Sequence, residues 1–514
     1  MTLELQSSHS AFEACADSVD CNALRSAGSG SSNGSHSELQ RGLQSPPTIG
    51  REPAVQYQEF LQSKALTAVP SGFDAPDLNP QLFDFQVPIV RWALKRGRSA
   101  IFADTGLGKT AMQCEWAHRV CDFTQGNALI LAPLSVAHQT VREAGKFGID
   151  VKYRREQTNE PGITITNYER IHKFDLSQFD IVVPDESSCI KHFDSKTSSQ
   201  LISEFSQTRY KLPSTATPAP NDQMELGTHS EFIGAMSRTE MLSMFFVHDG
   251  GETSKWRLRG HAKGKFYQYL GSWALAIRKP GDLGYSNEGY DLPPLNYHEH
   301  IVESPVLPGR LFATDAVTLQ DQREACRESI PARVEKMHEV ISGSTVRPWV
   351  VWCSLNDEST AATRALKSLG AIELTGSDDP DKKEEILLAF SKGQIPILVT
   401  KAVLAGWGLN WQHCRKQFNL GLDHSWEMWH QRIMRSHRYG QTQEVDIHTT
   451  LSESQMPVLN SIKRKDEQAM EMVSAMVAAM GDITRAELKK VQVMDRSYNA
   501  EKSMRLQPWL KSGW

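Results

Sequence analysis

Between Ala103 and Thr110 the chain reads Ala-Asp-Thr-Gly-Leu-Gly-Lys-Thr. Gly106 and Gly108 permit backbone conformations that turn N–H groups inward, toward an anion. A helix beginning at the end of this run would add the partial positive charge of its N-terminus. In such a loop Asp104, Thr105, Gly106, Leu107 and Gly108 wrap a polyphosphate. Lys109 reaches its β- and γ-phosphates, and the Thr110 hydroxyl holds Mg²⁺. Ala103 stands where these loops usually begin with glycine. A second run, Ile181-Val182-Val183-Pro184-Asp185-Glu186, is apolar and ends in two acids. Asp185 suits the Mg²⁺ shell, and Glu186 suits a base or orienter for an attacking water. A third run, from Gln431 to Gln441, carries Arg432, Arg435 and Arg438. Guanidinium groups pair well with transferring phosphoryl oxygens. Each run has a plainer reading: a glycine turn, solvated acids, a basic surface helix. Together they fit ATP hydrolysis in a cleft closed by two lobes.

The elements needed to position these groups are legible. Arg98 to Ala103 reads as a buried strand, and Thr110 to Val120 as the helix after it. The runs Ala128–Ala132, Gly162–Thr166 and Ile181–Val183 alternate with helical stretches, a βαβ rhythm that implies a mostly parallel sheet. Such a strand delivers Asp185 and Glu186 to the carboxyl edge of its sheet, where open α/β sheets bind ligands. A second alternating block begins near residue 347. Its expected strands are Trp349–Cys353, Ala371–Leu374, Ile395–Thr400, Gln417–Leu422 and Val445–Thr449; its expected helices are Glu358–Leu369, Pro380–Ser391 and Ser425–Ser436. Arg435 and Arg438, three residues apart, would share a helix face.

The expected organisation is a Ser/Gly-rich disordered tail over residues 1–54 and a first, ATP-binding lobe over 55–225. A mainly helical insertion follows over 226–300, then a second lobe over 301–455 and a helical extension over 456–514. The tail has too little apolar surface to offset chain entropy. The Met472, Met476 and Met480 stripe suits packing of the extension against a lobe. Across 514 residues the formal net charge is −5, so contact with nucleic acid must come from local basic patches. The cysteines are scattered without a CxxC pair, which argues against zinc and for free thiols in a reducing compartment. No apolar run approaches the ~20 residues of a membrane span. The N-terminus lacks a signal-peptide pattern. The expected location is cytoplasmic.

These residues resemble superfamily 2 helicases, and most closely their Swi/Snf-type DNA translocases, from about residue 80 to 450. The resemblance implies two tandem RecA-like lobes. It also implies that Gln86, about twenty residues before the loop, reads adenine. Ser135, in Pro133-Leu134-Ser135, and Thr166-Asn167, before Tyr168-Glu169, match segments that track a nucleic-acid strand. Asp185-Glu186-Ser187-Ser188 is the acidic box, continued by Ile190-Lys191 and Ser195-Lys196. Ser214 to Thr217 resembles the segment coupling ATP state to the nucleic-acid grip, with Ala216 where glycine is frequent. Thr400, Gly408 with Leu409-Asn410, and the Gln431–Gln441 segment match the second lobe's motifs. A histidine is frequent at position 188, where this chain has serine. The compact layout is similar to bacterial or bacteriophage members.

From Thr253 to Gly281 there is no acid. Lys255, Arg257, Arg259, Lys263, Lys265, Arg278 and Lys279 are interleaved with Trp256, Phe266, Tyr267, Tyr269 and Trp273. The cations could neutralise phosphates and the rings could stack on open bases; alternatively the rings form a local core. The expected function is sequence-independent, ATP-driven movement on duplex DNA. Two competing readings are a strand-separating DNA or RNA helicase of the same superfamily and a non-catalytic nucleic-acid scaffold.

Overall fold

Aliphatic and β-branched runs become strands wherever both faces can be covered. A computed structural model describes residues 68, 70–75, 77–190, 196–249, 252–303, 324, 326–405, 409–423 and 425–488. The 1–54 tail, Lys191, Ser195, Gly408 and the chain beyond 488 lie outside the described residues, as do the side chains of Ser135, Lys196, Lys255 and Met480.

The first lobe opens with β1 (Ala100–Ala103), β2 (Ala128–Ala132), β3 (Val151–Tyr153), β4 (Ile163–Asn167), β5 (Ile181–Pro184), β6 (Tyr210–Lys211) and β7 (Ser214–Thr215). Three strands follow in the region between the lobes: β8 (Phe246–Asp249), β9 (Glu252–Leu258) and β10 (Ala274–Ile277). One parallel ladder runs β3-β4-β2-β5-β6 and another β10-β1-β7. Bridges between Arg98 and Lys211 and between Asp185 and Ser214 join the two ladders. Both faces are apolar, as a parallel sheet requires. On β2, Ala128, Ile130 and Ala132 face the core that holds Met112 and Trp116, while Leu129 and Leu131 face the one that holds Phe102 and Trp273.

The stretch 226–300 contains the expected helices, Leu226–Ile233, Arg238–Phe245 and Lys263–Gly271. It also holds strands that the residue pattern did not suggest. β8 and β9 form an antiparallel hairpin, and β10 returns to pair with β1. Phe266, Tyr267, Tyr269 and Trp273 are buried, so these rings form core rather than a stacking surface.

The second lobe is a six-stranded parallel sheet. Its strands are β11 (Leu295–Val302), β12 (Trp349–Cys353), β13 (Ala371–Glu373), β14 (Ile397–Lys401), β15 (Lys416–Asn419) and β16 (Val445–Ser452), in the order β11-β16-β15-β12-β14-β13. The expected 425–436 helix is shorter, Trp426–Ile433, with the Ser425 hydroxyl accepting from Met428 N at its start. A long helix, Met456–Leu488, then touches both lobes. Val458, Leu459 and Ile462 pack with Trp426 and Trp429, while Met472 and Met476 enter the first lobe's core beside Trp273. Arg278 Nη1 donates to Ser474 Oγ at 2.7 Å along the same seam. Among the described residues no helix is long and apolar enough to cross a membrane.

Candidate nucleotide site between the lobes

The loop after β1 leads into the Lys109–Thr124 helix, and Gly108 caps that helix in the left-handed region. Gly106 and Gly108 have φ of +91° and +75°, values that glycine adopts without steric cost. Lys109 Nζ turns back to the loop, donating to Ala103 O at 2.8 Å and Asp104 O at 3.4 Å. Asp104 Oδ1 accepts from Thr105 N at 2.6 Å, and Leu107 is buried. Thr110 is in the first turn of the helix. Gln86 is adjacent but occupied: its amide donates to Leu107 O at 2.8 Å and accepts from Phe83 N at 2.9 Å. In this conformation Gln86 ties its own helix to the loop.

The two acids sit where β5 ends. Asp185 Oδ1 accepts from Gln113 Nε2 at 2.8 Å and from Glu186 N at 3.0 Å. Gln113 lies one helical turn after Lys109, so one helix presents the lysine and orients the aspartate. Tyr168 donates to Asp185 O at 2.8 Å. Glu186 has a φ of +50°, rare outside glycine and costing on the order of 1–2 kcal/mol. Thr215 Oγ1 donates to Glu186 Oε2 at 3.2 Å. Burial pushes both carboxyls above their usual range; the Lys109 charge opposes this at both, and that of Arg435 at Glu186. Burial likewise lowers the Lys109 pKa, against the pull of Glu186, Asp104 and Asp185. Ser188 is buried, and the neighbouring Ser187 Oγ lies 3.0 Å from Nε2 of His229, which comes from another helix.

The second lobe brings its arginines to this place by a route other than the expected one. The helix stops at Ile433, and Arg435 and Arg438 stand in the turns beyond it. Their Nη1 atoms converge because each donates to Leu409 O at 3.1 Å. Arg435 is further held by Gln431, whose Oε1 and O accept at 2.6 and 2.8 Å. Burial lowers the Arg435 pKa to about 9. Arg432 instead points into its own lobe, donating to Gly421 O and pairing with Asp423. Tyr439 lies against the loop, where a Cβ added at Gly106 would meet the Tyr439 Cβ at 2.8 Å. The Tyr439 ring stacks on Tyr290 at 4.4 Å. His430 feels the charge of Asp104 across the boundary.

The candidate nucleic-acid contacts are less accessible than their motifs imply. Thr166, Asn167, Ser214, Thr217 and Thr400 are all buried. Thr400 Oγ1 donates to Leu374 O, and Asn167 Nδ2 to Glu169. The physical reason is their position: Thr166, Asn167, Ser214 and Thr400 lie within core strands, and Thr217 follows one closely. Arg257 is exposed, whereas Arg259 donates to Ser243 O and Met244 O. Sequence reasoning missed Gln113, His229 and Glu427, and it read Thr215 and Tyr439 only as members of the Ser214–Thr217 and Gln431–Gln441 segments. Only Gln113 had a local signal, its four-residue spacing from Lys109.

Residues 332–440 match the helicase conserved C-terminal domain, a span that includes Gln431, Arg435 and Arg438. No curated protein matches the sequence. Among solved structures, S. cerevisiae Dbp5 bound to RNA and ADP BeF3 is 14% identical, with a TM-score of 0.46 over 77% of this chain and 93% of that one. The C-terminal domain match falls within the second of two parallel-sheet α/β lobes, the lobe that carries the arginines to the boundary.

Proposed function

We infer that this protein is an ATP-driven translocase that moves on duplex DNA without reading its sequence, in the manner of Swi/Snf-type motors. The observation that carries the ATP site is the meeting of Lys109, Asp185 and Glu186 with Arg435 and Arg438 at the boundary of two lobes. In this reading the Asp104–Gly108 loop cradles the phosphates and Lys109 swings from Ala103 O to the β- and γ-phosphates. Glu186 accepts the proton of the attacking water, and Arg435 and Arg438 stabilise charge developing on the γ-phosphate. Gln86 would have to release Leu107 O to read adenine.

The donors present fit Mg²⁺. With Asp185 Oδ1 bonded to Gln113 and Glu186 N, Oδ2 and the Thr110 hydroxyl would be its hard oxygen ligands. The ion would neutralise phosphate charge during transfer.

Exposed Arg257, Lys263 and Lys265 support a phosphate-contacting surface on the region between the lobes. The β8–β9 hairpin supports a second reading, a strand-separating helicase, because a hairpin can act as a wedge. Lys109→Ala tests the site: ATP turnover should fall to background, and turnover near that of the unaltered protein would overturn the assignment. A duplex-unwinding assay beside a triplex-displacement assay separates the two readings. Displacement without unwinding is the expected result, and unwinding of a plain duplex would favour the second.

A further inference from the structure

A path of hydrogen bonds leads from Glu186 across the lobe boundary. Thr215 Oγ1 donates to Glu186 Oε2 at 3.2 Å and accepts from Thr217 N at 3.0 Å. Thr217 Oγ1 donates to Glu427 Oε1 at 3.2 Å, a bond between residues 210 apart in the chain. Both ends are buried, Thr217 at 3% and Glu427 at 7% exposure, so the bond is shielded from competing water. Glu427 occupies the first turn of the Trp426–Ile433 helix, where the helix dipole favours a carboxylate. One turn later the same helix presents Gln431, which holds Arg435 through two bonds. The acid facing the first lobe's lysine and the arginine of the second lobe are thus the two ends of one connected path.

Resting on the ATPase reading above, we propose that Glu427 is a positioning residue whose bond to Thr217 fixes Arg435 opposite Glu186 when the lobes close. The bond joins a side chain of each lobe, so it exists only in the closed arrangement and breaks when they part. Because Thr217 follows Thr215 by two residues, a shift of the Ser214–Thr217 segment reaches Glu186 and the arginine together. Coupling of this kind is two-state: bonded and closed, or broken and open. Glu427 need not touch ATP, so its loss should affect turnover rather than substrate affinity.

The test compares kcat and KM for ATP, with duplex DNA present, in full-length Glu427→Ala, Glu427→Gln, Thr217→Val and the Thr217→Val/Glu427→Ala double variant. Lys109→Ala is measured alongside. Glu427→Ala and Thr217→Val should each lower kcat about tenfold, with KM moved by no more than about twofold. The double variant should be no slower than the worse single variant, because both remove the same bond. Glu427→Gln keeps an oxygen that accepts from Thr217 and should recover most of the loss. Wild-type kcat in both single variants, or losses that multiply in the double variant, would overturn the proposal. If Glu427→Ala melts well below the unaltered protein, Thr217→Val, which preserves side-chain shape, decides. Full turnover in Lys109→Ala would instead sink the ATPase reading itself. Its loss there, beside unimpaired Glu427 and Thr217 variants, would sink only the positioning role.

Discussion

At the scale of single residues, the site is a set of charges that would be costly to bury alone. Lys109 lies among Asp104, Asp185 and Glu186, and Arg435 faces Glu186 from the other lobe. Their mutual attraction offsets part of the desolvation that shifts the pKa values of Lys109, Asp185, Glu186 and Arg435. Arg435, with a pKa of about 9, is still cationic at neutral pH and so able to meet a phosphoryl group. Arg435→Ala is expected to slow ATP turnover by about 10³-fold or more, the range known for arginine fingers. Circular dichroism should show an intact fold. A kcat equal to that of the unaltered protein would remove the finger role. Arg435→Lys should not restore the rate, because an ammonium cannot reproduce the forked contacts made to Gln431 and Leu409.

At the scale of elements, the sequence was most readable where structure is local. The β1 strand, the glycine loop and the helix starting at Lys109 follow from apolar runs, positive-φ glycines and a helix N-terminus. The Ser425 start of the arginine-bearing helix was equally plain, but its end was not. The helix stops at Ile433 because the following turns direct Arg435 and Arg438 to Leu409 O, a tertiary demand with no local signal. β10 was missed for a similar reason. Ala274–Ile277 is a four-residue apolar run that becomes a strand because β1 has an edge for it. His229 shows the same limit, since nothing near it in sequence announces Ser187. Burial lowers the pKa of His229 from 6.5 to about 4. Between those values the unfolded chain binds a proton that the folded chain refuses, so stability is lost as pH falls through that window. Urea titrations should show a lower midpoint at pH 5 than at pH 7, and His229→Gln should shrink the difference. An undiminished difference in that variant would contradict the assignment.

At the scale of the whole molecule, two parallel sheets turn their functional loops toward a common boundary, and the Met456–Leu488 helix is packed against both lobes. Any parting of the lobes must therefore strain or release contacts at Met472, Met476 or Ser474 as well as the Thr217–Glu427 bond. In the proposed reading that loads the cleft mechanically beyond the nucleotide, as a motor that couples hydrolysis to movement requires. In the proposed reading the exposed cations of the intervening region meet phosphates, whereas the buried aromatic rings there offer no stacking platform. Backbone contact of that kind suits a duplex. The most direct measurement is steady-state ATP turnover by the full chain with saturating duplex DNA, single-stranded DNA or RNA at matched salt. Duplex DNA should stimulate turnover most, with Lys109→Ala inactive on all three. Equal or greater stimulation by single-stranded DNA or RNA would contradict it.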